Sequence, residues 1–349
     1  MKVLVIQQKM IGDVLTSSIL FEALRHKYPN AQLHYLINEH TYPVVENNPF
    51  IDHFIFFTKK EESSKKALFN FAKKIKQQHF DVIIDVYSKL SSNIISAYSR
   101  AKTKISYHKT YTTPVYHHNI KRLKSTDEKS GLAIVNRLQL LQPLGIENAS
   151  IKPKIYLTDA EIDSSKQFLT QHHVDFSKPT YMISVLGSGT NKTYPFPYMA
   201  KIIDAIVKQT QGQILFNYIP KQAADAQAIF DLCLPETQQH ILFDVFGKSL
   251  RDFLAITTHC DALIGNEGGA VNMAKALNIK TFTIFSPWID KATWNLFEDK
   301  NNVSVHLKDF KPELYTKPEK ALKKEALSLY NQFTPDLIQP KLKAFLESL

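Results

Sequence analysis

Short apolar runs alternate with amphipathic stretches along most of the chain. In the first half, Lys2–Ile6, Gln32–Ile37, His53–Phe57, Asp81–Asp85 and Thr103–Tyr107 read as strands. Between them, Val14–Lys27, Thr41–Asn47, Ser64–Gln78 and Ser91–Ser99 carry apolar residues at helical spacing. Residues 108–126 break the rhythm. They are basic, rich in Tyr, Thr and His, and have little hydrophobic period, so a surface loop is expected there. A helix is expected over 127–143, ended by Pro143 and Gly145.

A second alternation starts near residue 180. Thr180–Leu186, Gln213–Tyr218, His240–Phe243, Ala262–Gly265 and Thr281–Phe285 read as strands, and Pro197–Gln209, Lys221–Leu232, Ser249–His259 and Gly269–Leu277 as helices. Strands alternating with helices indicate βαβ units and parallel sheets. The expected fold class is therefore α/β, with two Rossmann-like, doubly wound domains, 1–155 and 156–334, facing a central cleft. Residues 150–160 are the expected linker. The tail from Lys317 is helical and charged, and its end, 335–349, is expected to pack back on the first domain.

With 349 residues, two domains are also the expectation from size. The composition, 44% hydrophobic and 22% charged, is that of a globular protein. Cys233 and Cys260 lack metal-ligand spacing and read as buried residues of a reducing compartment. The opening apolar run is too short for a signal peptide, and no run reaches the length of a membrane span, so a cytoplasmic location is expected. The net charge of +10 points to an anionic partner, and the basic clusters concentrate in the first half. Adjacent His117 and His118 cannot share a helix face, and no metal-binding cluster is expected.

Three loops at strand ends carry candidate chemistry. Gly12-Asp13 lies where the first strand gives way to a helix, where Asp13 could serve chemistry or simply cap the helix. Leu186-Gly-Ser-Gly-Thr-Asn-Lys192 combines a permissive backbone, the hydroxyls of Ser188 and Thr190, and the Lys192 charge, which suits a phosphate. It is not a Walker A loop. Gly265-Asn-Glu-Gly-Gly-Ala270 passes from strand through a glycine turn into a helix, whose free N–H groups attract anions. Glu267 could accept hydrogen bonds from ligand hydroxyls there.

These motifs occur in an order that resembles glycosyltransferase family 9, the bacterial heptosyltransferases. The resemblance rests on Ile11-Gly12-Asp13-Val14-Leu15, the Gly-Ser-Gly loop with Asn191-Lys192-Thr-Tyr-Pro195, Phe246-Gly-Lys-Ser-Leu250, and Gly265-Asn-Glu-Gly-Gly-Ala-Val-Asn272 followed by Phe285-Ser-Pro287. It covers essentially the whole chain. It implies a GT-B fold, with an acceptor-binding first domain and a nucleotide-sugar-binding second domain. It implies transfer of heptose, with inversion, from ADP-heptose to a Kdo-lipid A type lipopolysaccharide core at the cytoplasmic face of the inner membrane. Asp13 matches the family's catalytic base. Ser188, Thr190, Lys192 and the N–H groups at Gly268, Gly269 and Ala270 match its donor-phosphate site, and Glu267 falls where the family usually has a sugar-contacting Asp. Gly268 replaces a usual Ser or Thr, Asn272 a usual His, and Lys221 and Gln222 stand where relatives often place an acid for the ribose. Gly12, Lys121 and Arg122 are the acceptor candidates. No cofactor or metal is implied. A monomer in peripheral contact with an anionic membrane is expected, and no nucleic acid.

Other readings share the charge or the fold. A transferase using another nucleotide sugar, a sugar-nucleotide epimerase and a donor-binding relative without turnover would share the architecture. A basic nucleic-acid-binding protein would share the charge, but the chain carries none of the usual recognition motifs.

Overall fold

The computed structural model describes residues 1–147 and 150–349. The chain divides into two compact units, Met1–Tyr156 and Leu157–Leu349. Both are parallel α/β structures.

The first unit is built on a six-stranded sheet: β1 (Lys2–Ile6), β2 (Gln32–Asn38), β3 (His53–Phe57), β4 (Val82–Asp85), β5 (Thr103–Tyr107) and β6 (His118–Ile120). Its order is β3-β2-β1-β4-β5-β6, and every pairing is parallel. The strand order reverses between β1 and β4, and in such sheets ligands sit beyond the carboxyl ends of the strands at that point. Val3, Leu4, Val5 and Ile6 are fully buried, as expected of a strand covered on both faces. Helix Lys65–Gln77 turns Leu68, Ala72 and Ile75 inward, one residue per turn, and the Ser64 hydroxyl caps its start.

The structure departs from sequence expectation at several places. The helix expected over Val14–Lys27 starts earlier and is two helices, Ile11–Ser17 and Ile19–Lys27, meeting at Ser18. Thr16 and Ser18 donate their hydroxyls to the carbonyls of Gly12 and Leu15, at 2.9 and 2.7 Å, and such back-bonding bends helices. The Thr41–Asn47 segment is a 3₁₀ helix, Glu39–Val44, with Pro43 inside it. The 108–126 region is not all loop, because β6 adds to the sheet edge beside β5. The 127–143 helix is short, Leu132–Leu138, and tightens into a 3₁₀ segment over Gln139–Leu144 that contains Pro143.

The second unit has a five-stranded sheet: β7 (Thr180–Ser184), β8 (Gln213–Phe216), β9 (Ala262–Asn266), β10 (Lys280–Ile284) and β11 (Asn302–Val305). The order is β11-β10-β9-β7-β8, again all parallel, with the reversal between β9 and β7. His240–Phe243 is not a strand. It makes a single bridge, Ile241 to Ile214, then turns away as Val245 N–H bonds to Leu242 O. Strand β11 was not expected. The final helix, Pro335–Glu347, is part of the second unit. Ile338, Leu342, Phe345 and Leu346 enter that unit's core, and Phe345 meets Phe282 of β10 at 5.6 Å between ring centres. No helix among the described residues is long and apolar enough to cross a membrane.

Candidate functional site

In the first unit, β1 delivers Asp13 to the carboxyl edge of the sheet. Asp13 lies in the first turn of helix Ile11–Ser17 rather than before it, where the positive end of the helix dipole favours a carboxylate. Among the described residues its Oδ2 receives only a long bond from Met10 N–H, 3.4 Å. Its Oδ1 receives Arg137 Nη2 at 2.6 Å. The guanidinium is fixed elsewhere too, by Nη1 to Ala133 O at 2.8 Å and Nε to Ser17 Oγ at 2.9 Å. The Arg137 side chain is 8% exposed and that of Asp13 is 29% exposed. A buried, clamped cation thus holds one carboxylate oxygen, and the other is the more available to accept a proton. Sequence reasoning missed Arg137, which lies 124 residues from Asp13.

Gly12 is placed beside Asp13, and its carbonyl accepts the Thr16 hydroxyl. Lys121 and Arg122 are exposed on the stretch after β6. The Arg122 guanidinium lies 3.8 Å from the centre of the Tyr107 ring. Leu123 N–H donates to Asn136 Oδ1 at 2.7 Å, so this stretch docks on the helix that carries Arg137.

A second feature of this edge was also missed. Asp85 ends β4, is fully buried, and accepts Tyr116 OH at 2.5 Å and Ser88 N–H at 2.7 Å. Burial pushes its carboxyl up to about 6, against the opposing effect of those hydrogen bonds. Tyr116 also faces Asn93 Oδ1 at 2.8 Å, and Lys109 Nζ donates to Ser88 O. The network ties the basic segment after β5 to the start of helix Leu90–Tyr98.

In the second unit the two candidate loops lie at the carboxyl ends of β7 and β9, next to each other in the sheet. Asn266 couples them. Its Nδ2 donates to Ser184 O and Val185 O, both at 2.9 Å, and its Oδ1 accepts Tyr194 N–H at 2.7 Å. Gly265 has φ +129°, and a Cβ there would meet Ser184 O at 2.5 Å, so only glycine lets the strands approach in this way. The Gly187 loop folds back so closely that a Cβ would meet Lys192 O at 2.2 Å. Asn191 O is held from outside by Ser286 Oγ and Trp288 Nε1, both at 2.7 Å, and Gln222 Nε2 reaches Gly187 O at 3.2 Å. Ser188 and Thr190 stay exposed at the tip, and Lys221 is exposed beside Gln222.

Lys192 Nζ lies 3.3 Å from Glu267 Oε1, an ion-pair distance without hydrogen-bond alignment. The Glu267 side chain is 9% exposed. Burial raises its carboxyl above the usual range, and Lys192 offsets part of that. Gly268 follows at φ +151° with open space where a side chain would stand, and helix Gly269–Ala276 begins. The first-turn N–H groups of such a helix have no acceptor within it. A lysine, two loop hydroxyls and the N–H groups of a helix start after a glycine turn are the kinds of group that hold an anion. A separate cavity of about 470 Å³ lies between helices Asp159–Gln171 and Leu250–Thr257, and none of the candidate residues lines it.

The chain folds as two parallel α/β domains, and the comparisons make the family specific. The sequence model of glycosyltransferase family 9 (heptosyltransferase) matches residues 68–338, and the chain belongs to that family. It is a glycosyltransferase. It is 21% identical over 295 residues to lipopolysaccharide heptosyltransferase 1 of Campylobacter coli, covering 82% of this chain and 84% of that protein. Among solved structures, the family 9 glycosyl transferase of Veillonella parvula superposes with a TM-score of 0.77 at 18% identity, covering 95% of this chain and 97% of the other. E. coli heptosyltransferase WaaC with ADP-2-deoxy-2-fluoro heptose superposes with a TM-score of 0.67 at 14% identity, covering 93% and 98%.

Proposed function

We propose that this glycosyltransferase moves a heptose or related sugar, with inversion, from ADP-heptose to the acidic inner core of a lipopolysaccharide. The observation that carries the reading is the Lys192 ammonium, set beside the first turn of helix Gly269–Ala276 and engaged by the Glu267 carboxylate. A leaving diphosphate gains negative charge, and a preorganised cation with free N–H groups stabilises it without a metal. Support for the donor comes from WaaC, a solved neighbour bound to an ADP-heptose analogue. Ser188 and Thr190 would add hydroxyls to the phosphates, Gly268, Gly269 and Ala270 their N–H groups, and Glu267 would meet sugar hydroxyls.

In this reading the acceptor hydroxyl loses its proton to Asp13 as it attacks the anomeric carbon. The C–O bond to the diphosphate breaks, and its electron pair leaves with the nucleoside diphosphate. Gly12, Lys121 and Arg122 would meet the phosphates and acidic sugars of the acceptor. The enzyme would work at the cytoplasmic face of the inner membrane. A second reading, transfer from a different nucleotide sugar, is favoured by one observation: the space left open at Gly268.

Calorimetry tests the donor site. The wild type should bind ADP, and Lys192→Ala should bind it roughly 10- to 100-fold more weakly through loss of a charge-assisted contact. Equal affinity in the folded variant would reject the placement of the phosphates. Tighter binding of UDP or GDP than of ADP would select the second reading.

A further inference from the structure

Lys192 alone leaves the charge at its site unbalanced. Its ammonium stands 3.3 Å from the Glu267 carboxylate, so the pair brings little net charge to an arriving anion. A sugar-linked diphosphate is multiply charged and becomes more so as the sugar leaves. Trp288 leads to a second cation. It follows β10, the strand beside β9, and so stands on the next loop along this carboxyl edge. Its indole N–H donates to Asn191 O at 2.7 Å, which fixes the ring against the Lys192 loop. Two ammonium groups share that ring: Lys192 Nζ lies 5.7 Å from its centre and Lys323 Nζ 4.8 Å.

Lys323 comes from helix Glu319–Lys324, near the end of the chain. Leu322 enters the unit's core and anchors that helix, while Lys323 stays exposed. Other lysines of the same stretch are taken: Lys317 Nζ pairs with Glu325 at 2.6 Å, and Lys311 Nζ donates to Gln332 Oε1 at 2.7 Å. Among the described residues Lys323 has no carboxylate partner and is held only by the indole. An exposed cation–π contact is weak, and like charges around one ring repel, so an anion would draw Lys323 away at little cost. Its long flexible stem lets Nζ travel without a change in the backbone.

We propose that Lys323 is a second phosphate-binding residue of this site, leaving the Trp288 ring to meet the diphosphate together with Lys192. The proposal rests on the donor reading above and adds to it a residue from outside the strand-end loops. Trp288 is then a positioning residue that keeps an uncommitted ammonium beside the site. With Lys323, two ammonium groups face one carboxylate, a net positive charge that suits a departing diphosphate.

Calorimetry on the full chain tests this, using whichever of ADP, UDP and GDP the wild type binds most tightly, and the matching monophosphate. Lys323→Ala should keep its melting temperature and bind the diphosphate about 3- to 10-fold more weakly, with a smaller loss for the monophosphate. Lys323→Arg should recover most of the affinity. Lys324→Ala removes the same charge from the next position and should bind like wild type. A folded Lys323→Ala protein with wild-type affinity, or an equal loss in Lys324→Ala, would overturn the proposal. If Lys192→Ala is weakened in that same series, the donor reading stands without it. Unchanged affinity in Lys192→Ala, or a wild type that binds none of the three diphosphates, would overturn both.

Discussion

Replacing Asp13 by Asn separates chemistry from structure at the residue on which the proposed mechanism turns. The carboxylate takes Arg137 Nη2 at 2.6 Å on Oδ1 and the long Met10 N–H contact on Oδ2. An Asn side chain keeps one oxygen for Arg137, and at this first-turn position it gives up the small attraction between a charged carboxylate and the helix dipole. What is lost is the ionic part of a pair in which the Arg is buried and the Asp is 29% exposed. Partial screening at that exposure leaves a cost of about 1–2 kcal/mol. In a structure of this size that lowers the melting temperature by roughly 2–8 °C. Arg137 keeps Ser17 and Ala133, so the local fold should persist. Turnover should fall by ~10²–10⁴-fold, since an amide cannot accept the acceptor's proton. The assay follows ADP release from ADP-heptose with a Kdo-containing lipid acceptor, beside calorimetry of ADP. A variant that melts slightly earlier, binds ADP normally and turns over like wild type would refute the base assignment and leave Asp13 a structural residue.

Arg137→Gln should cost more stability than Asp13→Asn, about 2–3 kcal/mol by denaturant unfolding, because it leaves Asp13 and Ser17 without their buried partner. Asp85→Asn should show a pH signature. The Asp85 carboxyl is raised from 3.8 to about 6 in the folded unit, so the native state binds this proton first. Its stabilisation is complete below pH 3.8 and lost as pH rises through 6, so wild type should lose up to ~3 kcal/mol relative to the Asn variant between about pH 4 and 7. Parallel curves in chemical denaturation across that window would contradict it. Gly265→Ala should destabilise the second unit by about 2 kcal/mol or more, measured by thermal unfolding, since the methyl meets Ser184 O at a φ that disfavours it. Glu267→Gln should bind ADP severalfold more tightly by calorimetry, since it removes a negative charge beside the diphosphate and frees Lys192.

Most strands were legible because they are short, apolar and β-branched, as in Val3–Ile6 and Ala262–Ile264. What escaped depended on partners distant in sequence. His118-Asn-Ile120 has no apolar period and becomes a strand only because β5 offers an edge. Asn302–Val305 pairs with β10 after a turn that Asp299 holds through the N–H groups of Asn301 and Asn302, both at 2.8 Å. The last helix has an apolar stripe that says it must be covered, not by which unit. The loops after β1, β7 and β9 could be found from their glycines and charges. Arg137, an ordinary residue in an amphipathic run, carried no local sign that it would hold Asp13. Asp85 looked like the polar end of a strand until Tyr116 covered it.

On the proposed donor site, the Lys192–Glu267 pair would give the second unit a built-in competitor for its own ligand. A diphosphate arriving at Lys192 would exchange one anion for another, displacing the carboxylate that is already there. The affinity forgone on arrival would be returned on departure, because Glu267 would reclaim the lysine once the sugar has gone. A catalyst that must shed its spent nucleotide before each new round gains from such a spring. The protein would then trade tight holding of product for faster cycling, with the trade set by one buried acid.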